Sequence, residues 1–417
     1  MNIETVDVLI VGAGPSGCVA AAYLKKQNLS IKVIEKCKFP RFVIGESLLP
    51  RCMDHFEEVG LLSCLEAQHF EIKRGARFLK KGVVCNFDFS KKHTEGWDWT
   101  WQVPRADFDF ALTQELEKMG GPVAFEQEVT AVVISEDGTS TTTIKGANGN
   151  TTNIQAKFII DSSGYGRVLP RLLDLDKPSS LPYHSSIFTH VLDIKRPEGQ
   201  EGTLITFDVV MDEVWFWVIP FSNGVTSIGF VGPTDFMASF KGSTTEKLKE
   251  MLQMSHYYYS RFKDLDFLFT PVEIKNYSKA VKQLYGKGFA LTGNSAEFLD
   301  PVFSSGVTFA TESGLLAAKL IAKELNGELI DWQTQYEDYI KQGVNVFATY
   351  VKEWYTGNLQ KIFFHRPENP KVKEQICAVL AGYVWDQTNP FVKNHDRLVK
   401  TVAHIIDMEI EQKKANK

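Results

Sequence analysis

The chain has 417 residues, of which 46 are basic and 51 acidic, for a formal net charge of −5. A hydrophobic share of 44% and a charged share of 23% exclude a disordered, fibrous or collagen-like chain, and the mild acidity offers no footprint for a nucleic-acid backbone. Aromatic residues stand out, with 29 Phe and 8 Trp.

Length indicates two or three domains at about 150 residues each. Cys18, Cys37, Cys52, Cys64, Cys85 and Cys377 are scattered, with no CxxC pair, and the nine histidines lack ligand spacing. Neither a disulfide scaffold nor a metal site is expected. Residues 6–11 are far too short a run to span a bilayer, and no stretch reaches about 18 apolar residues. The expectation is a soluble, reduced, cytoplasmic protein with no membrane span and no nucleic-acid partner.

Residues 6–11 (VDVLIV) predict a fully buried parallel strand. Gly12-Ala13-Gly14-Pro15-Ser16-Gly17 follows, then an Ala-rich helix over 18–25 and a second strand over 31–35. Further along, a helix is expected over 48–59 and strands over 75–89 and 97–103. A helix opened by proline covers 104–118. A strand meander spans 123–160, with turn signals at Asp137-Gly138 and Asn148-Gly149. Alternation returns over 184–231, a short buried strand over 289–292, and an apolar helix over 306–325. From 331 onward the pattern is helical. Because βαβ character returns only near 289, a nucleotide-binding domain built from separated segments is expected. The expected boundaries are 1–75, 97–175 and 286–330 for that domain, 76–96 and 176–285 for an antiparallel substrate domain, and 331–417 for a helical region.

Gly12, Gly14 and Gly17 form GxGxxG between a strand and a helix. The first glycine allows the tight turn, the second lets backbone approach a pyrophosphate, and the third lets helix pack on strand. Pro15 and Ser16 open the helix, whose free N–H groups suit an anion. Glu35 ends the second strand where a carboxylate can hold a ribose hydroxyl pair, with Lys36 beside it. A carboxylate there disfavours a 2′-phosphate, so the dinucleotide is FAD or NAD. The break into strands after one βαβ unit speaks against an NAD dehydrogenase.

Four further segments complete a pattern. They are Arg41 with Gly45-Glu46-Ser47-Leu48-Leu49-Pro50; Val103-Pro104-Arg105-Ala106-Asp107-Phe108-Asp109; Gly293-Asn294 with Asp300-Pro301-Val302-Phe303-Ser304-Ser305-Gly306-Val307; and Trp215-Phe216-Trp217-Val218-Ile219-Pro220. By residue pattern alone, Trp215 and Trp217 share one strand face and read as core. Taken together with the fingerprint, the chain resembles the flavin-dependent halogenases of phenol and pyrrole type. These sit within the FAD-dependent aromatic-hydroxylase and geranylgeranyl-reductase superfamily. The last segment matches their WxWxIP signature, and the resemblance covers most of residues 1–330.

The resemblance implies an α/β fold. It combines a Rossmann-like FAD-binding domain of the glutathione-reductase and aromatic-hydroxylase type, an inserted mainly antiparallel sheet, and a helical C-terminal region. It implies FAD contacts at Gly12, Gly14, Pro15, Ser16, Gly17, Glu35, Lys36, Arg41, Gly45, Glu46, Ser47, Arg105, Asp161, Gly293, Asn294, Pro301, Gly306 and Val307. It implies a halide site at Ser305 and Gly306. Lys73 stands where the family carries its functional lysine; by itself, a lysine beside Arg74 reads as a solvated surface group.

The implied chemistry makes hypohalous acid at reduced FAD and relays it through Lys73 to an aromatic substrate, free or tethered to a carrier protein. Trp215 and Trp217 would separate the arene from the flavin. Asn294 replaces an aspartate common in the superfamily. Ser163 stands where NADPH-using hydroxylases carry a second aspartate, so reduced FAD is expected from a separate flavin reductase. A hydroxylase and a geranylgeranyl-reductase-like flavin enzyme remain the alternatives. Trp97, Trp99 and Trp101 alternate before Arg105, as pocket wall or as core.

Overall fold

The computed structural model describes residues 4–365 and 369–415. The β-branched strand Glu4–Val11 forms the middle of the first sheet, and Val8, Leu9 and Ile10 are fully buried. It pairs in parallel with Thr151–Asp161 on one side and Ile31–Ile34 on the other. Phe289–Leu291 adds in parallel beyond Thr151–Asp161, and Val123–Ala124 beyond Ile31–Ile34. Tyr285–Gly286, antiparallel to Phe289–Leu291, and the antiparallel strands Gln127–Ile134 and Ser140–Gly146 complete eight strands. Strands buried on both faces need continuous apolar runs, which is what residues 8–11 and 158–160 supply.

The helices Pro15–Lys26 and Gly306–Leu325 pack together. A Cβ on Gly314 would meet the backbone oxygen of Ser16 at 2.6 Å, so this crossing needs a glycine. Two helices far apart in sequence thus meet beside the first sheet.

The second sheet has seven strands in the order Val272–Lys275, His184–Leu192, Val225–Pro233, Val214–Pro220, Ile205–Met211, Gly75–Lys80 and Val83–Asp88. All pairs are antiparallel except Ile205–Met211 with Gly75–Lys80. Its side chains alternate as strand geometry demands. Phe216, Val218, Ile228 and Phe230 face a separate core with Met251, Leu252 and Phe262. Trp215, Trp217, Phe207 and Ile219 face the main core that the first sheet shares.

Helices fill the C-terminal part, among them Tyr339–Tyr355, Pro370–Leu380 and His395–Ala415. Trp354 ties this part to both halves, with ring centroids 5.4 Å from Phe78 and 5.9 Å from Phe303.

Two elements differ from expectation. The helix expected from residue 48 begins at Arg51, because Leu48 N–H donates to Trp101 O at 3.1 Å and Ser47 bridges to Gln102. The strand expected over 97–103 is confined to Thr100–Gln102, while Trp97, Trp99 and Trp101 stack edge to face at 5.4 and 5.2 Å. Among the described residues, no helix is long and apolar enough to cross a membrane, and no cluster of His, Cys, Asp or Glu could hold a metal ion.

Candidate active site: a cavity from the glycine turn to a tryptophan wall

A cavity of about 400 Å³ runs between the two sheets. One end is the glycine turn. Gly12 has φ +101°, and a Cβ there would meet Ser162 O at 2.4 Å. Gly17 lies off the cavity; a Cβ on it would meet Gly12 O at 2.0 Å, so its glycine serves the turn itself. Gly14, Pro15 and Ser16 line the cavity, as do Glu35 and Lys36. The Glu35 carboxylate accepts from Ala13 N–H at 3.0 Å and Cys37 N–H at 2.9 Å, which holds it against the turn.

The segment from Arg41 to Ser47 forms one long side, and Arg41, Gly45, Glu46, Ser47 and Arg105 all line it. Its anchor is Asp109, a fully buried carboxylate. It accepts from Arg105 Nε and Nη2 and from Arg41 Nη1, each at 2.9 Å. Arg105 Nη1 then donates to Ile44 O and Gly45 O, at 3.2 and 3.3 Å. Asp109 is absent from the expected contacts, although its i,i+4 spacing from Arg105 on a helix was a legible signal. Glu46 meets His190 of the second sheet, Oε1 to Nε2, at 2.6 Å.

Opposite lie Gly293, Asn294, Pro301, Gly306 and Val307. Ser305 is buried behind them, and Ser304, with φ +56°, reaches the cavity in its place. Asp161 lies off the cavity as well. Its carboxylate accepts from Ser163 N–H at 2.9 Å and Leu169 N–H at 2.7 Å, holding the loop Ser163-Gly164-Tyr165 that does line the cavity. Burial pushes its carboxyl up.

The far end is the main-core face of the second sheet. Trp215 and Trp217 line it, with Phe207, Ser186 and Tyr277, which sequence reasoning missed. Pairing across the sheet brings Trp215, Trp217, Phe207 and Ser186 to one face, and Tyr277 follows the edge strand. Trp217 Nε1 donates to Ser227 Oγ at 3.1 Å, and Trp215 Nε1 to the Tyr355 hydroxyl at 3.1 Å. Trp97, Trp99 and Trp101 do not reach the cavity.

Lys73 is not a surface lysine. It is 1% exposed, on the short strand Glu71–Lys73 that pairs with Thr100–Gln102. Its Nζ donates to Ser47 Oγ and to Leu48 O, both at 2.8 Å, and lies 5.6 Å from the centre of the Phe89 ring. Desolvation lowers its pKa from 10.5 to about 7. The amine does not line the cavity; Ser47 both touches it and lines the cavity.

These residues fit FAD. The glycine turn opens on a helix N-terminus, a carboxylate stands at the end of the second strand, and Gly293 completes a cradle in which a Cβ would meet the Ala310 Cβ at 3.0 Å. When bound there, FAD supplies two-electron chemistry with oxygen.

A cavity so built defines a flavoprotein. The family described as FAD binding domain matches residues 5–330, and the chain belongs to it. A flavoprotein/dehydrogenase from Cytophaga hutchinsonii shares 48% identity with a TM-score of 0.95, over 97% of this chain and 100% of that one. The 1H-pyrrole-2-carbonyl-[peptidyl-carrier protein] brominase of Pseudoalteromonas luteoviolacea is 28% identical over 392 residues, covering 92% of this chain and 94% of the relative. The structure of a flavin-dependent brominase, 24% identical with a TM-score of 0.82 over 99% and 100% of the two chains, shares the fold. The protein is an FAD-dependent oxidoreductase whose curated relatives include flavin-dependent halogenases.

Proposed function

We propose that this protein is a halogenase that uses reduced FAD, oxygen and a halide ion to halogenate an electron-rich arene. In that reaction the two electrons and two protons of bound reduced FAD, with oxygen, the halide and one further proton, would yield oxidised FAD, hypohalous acid and one water. Halogen then replaces a ring hydrogen and a second water leaves.

The observation that carries this reading is Lys73. A buried amine whose pKa has fallen to about 7 is substantially neutral at neutral pH and is a nucleophile toward an electrophilic halogen. It stands one side chain, Ser47, behind a cavity walled by Trp215 and Trp217. A hydroxylase needs its arene open to the flavin and has no use for such an amine. The first-turn N–H groups at Gly306 and Val307 suit a halide, because a helix N-terminus leaves its first donors unpaired. Aromatic walls confine the oxidant.

The brominase relative acts on a pyrrole carried by a peptidyl-carrier protein, and a tethered pyrrole or phenol is the substrate class favoured here. Reduced FAD comes from a separate cytoplasmic reductase in this reading.

The test supplies purified protein with reduced FAD, oxygen and bromide or chloride, a diketone trap for hypohalous acid, and carrier-bound pyrrole. Halogenated trap or pyrrole is expected. Complete reoxidation of the flavin with neither product sinks the reading. The 48% identical flavoprotein/dehydrogenase favours a second reading, flavin-dependent reduction or dehydrogenation, which that outcome would promote.

A further inference from the structure

One buried carboxylate joins the tryptophan wall to the flavin-facing turn and to the C-terminal helices. Asp300 is 3% exposed. Its Oδ2 accepts from the Tyr277 hydroxyl at 2.7 Å and from the Tyr355 hydroxyl at 3.0 Å, while its Oδ1 accepts from Val302 N–H at 2.9 Å. The Tyr355 hydroxyl, its proton committed to Asp300, accepts from Trp215 Nε1 at 3.1 Å. The His184 ring stacks on Tyr355 with centroids 4.2 Å apart and planes 24° apart, so the tyrosine ring is held on its face as well.

Asp300 opens the turn whose Pro301, Ser304 and Gly306 line the cavity. Trp215 and Tyr277 line the cavity from the second sheet and the segment beside it. Tyr355 lies off the cavity, at the last residue of the helix Tyr339–Tyr355. Its neighbour Trp354 packs edge-on against Phe303 of the same turn, at 5.9 Å and 83°. One helix end therefore grips both the turn and the wall.

We infer that Tyr355 is a positioning residue: through Asp300 and the Trp215 indole it sets the tryptophan wall in register with the flavin-facing turn. The C-terminal helical region thereby decides how tightly the flavin end of the cavity is sealed from the substrate end. Burial raises the Tyr355 and Tyr277 pKa values well above the ordinary tyrosine range, so both hydroxyls keep their protons at neutral pH. A hydroxyl that both donates and accepts is needed; phenylalanine keeps the stacking and the volume but neither bond.

The test compares wild type with Tyr355→Phe, loaded with FAD. The first measurement is hydrogen exchange at the Trp215 indole N–H, its NMR signal assigned with Trp215→Phe. Exchange at least tenfold faster in Tyr355→Phe is expected; an unchanged rate overturns the inference. The second rests on the halogenation reading. It is the ratio of halogenated product to hydrogen peroxide released per reduced FAD consumed. The ratio should fall several-fold while FAD affinity stays within twofold and thermal stability is matched; an unchanged ratio overturns the functional part. If wild type itself makes no halogenated product, the reading above fails while the exchange measurement still decides the network. If Tyr355→Phe does not fold, Asp300→Asn carries the same exchange test, because it places an amide donor against the tyrosine hydroxyls.

Discussion

The Lys73 amine donates to the Ser47 hydroxyl at 2.8 Å, and Ser47 is the residue that presents this contact to the cavity. The pair joins a strand at 71–73 to a segment 26 residues earlier, and both were expected on separate grounds. Their contact places the lysine directly behind the cavity wall, shielded from bulk water.

Lys73→Met should abolish halogenation, by more than about a hundredfold on the scale of a lost nucleophile, and leave FAD binding within about twofold. Product per reduced FAD, with the flavin spectrum as control, checks this. Retained product formation would remove Lys73 from the chemistry.

The same lysine sets a pH dependence. Its pKa falls from 10.5 when exposed to about 7 when folded. Halogenation should therefore rise as pH passes upward through about 7, as the neutral amine accumulates. Stability carries the matching sign. The folded protein holds fewer protons than the unfolded chain between those two values, so wild type should gain on Lys73→Met as pH rises through that window, and lose the advantage as pH falls through the folded value. Denaturation midpoints at pH 6 and pH 9 decide it; a constant difference between the two proteins contradicts the burial effect.

Glu312 lies behind the cavity, where Arg51 contacts it through Nε at 2.9 Å and Nη2 at 3.2 Å. His55 Nε2 lies 2.8 Å away and the Tyr339 hydroxyl 2.9 Å. These partners hold its carboxyl well below the usual range, although burial opposes them. Glu312→Gln should cost roughly 3 kcal/mol, because it removes the buried carboxylate shared by Arg51 and His55 and leaves Arg51 only the longer contact with Asp54 at 3.5 Å. The contribution of a depressed carboxyl is present above its unfolded value and is lost as pH falls through the folded one, so the gap between variant and wild type should narrow only in acid. Urea titrations at pH 7 and pH 3.5 measure it.

Gly12→Ala should remove FAD without any chemistry at stake. A Cβ at φ +101° is strained, and it would sit 2.4 Å from Ser162 O. The expected outcome is protein purified with less than about a tenth of the wild-type flavin content, in keeping with a strain of several kcal/mol at the turn. Normal flavin content would show that the turn relaxes.

Asp109→Ala frees two arginines at once. Arg41 and Arg105 lose their shared acceptor, and the segment 41–47 loses its anchor. FAD affinity should drop about tenfold or more, as expected when a buried charged hydrogen-bond network is broken. Titration of the apoprotein with FAD checks it.

Much of this site could be read in the chain because its parts are local. The glycine turn needs residues that sit within six positions of one another, and strand alternation puts Trp215 and Trp217 on one face whatever the fold. The acid at Glu35 follows from the length of one βαβ unit. Asp161 and Ser305 show the limit: local motif order put them at the site, but backbone N–H groups take up the one and the turn buries the other.

What tertiary structure decided is which faces meet. No spacing rule connects Tyr355 to Trp215 across 140 residues, or Glu46 to His190 across 144. Lys73 beside Arg74 carries the sequence signature of a solvated pair, yet pairing with Thr100–Gln102 turns the lysine inward beside Ser47. The reason is physical: periodicity sets the direction of a side chain relative to its own strand or helix, whereas burial, desolvation and partner choice depend on the neighbouring element, which chain order alone does not specify.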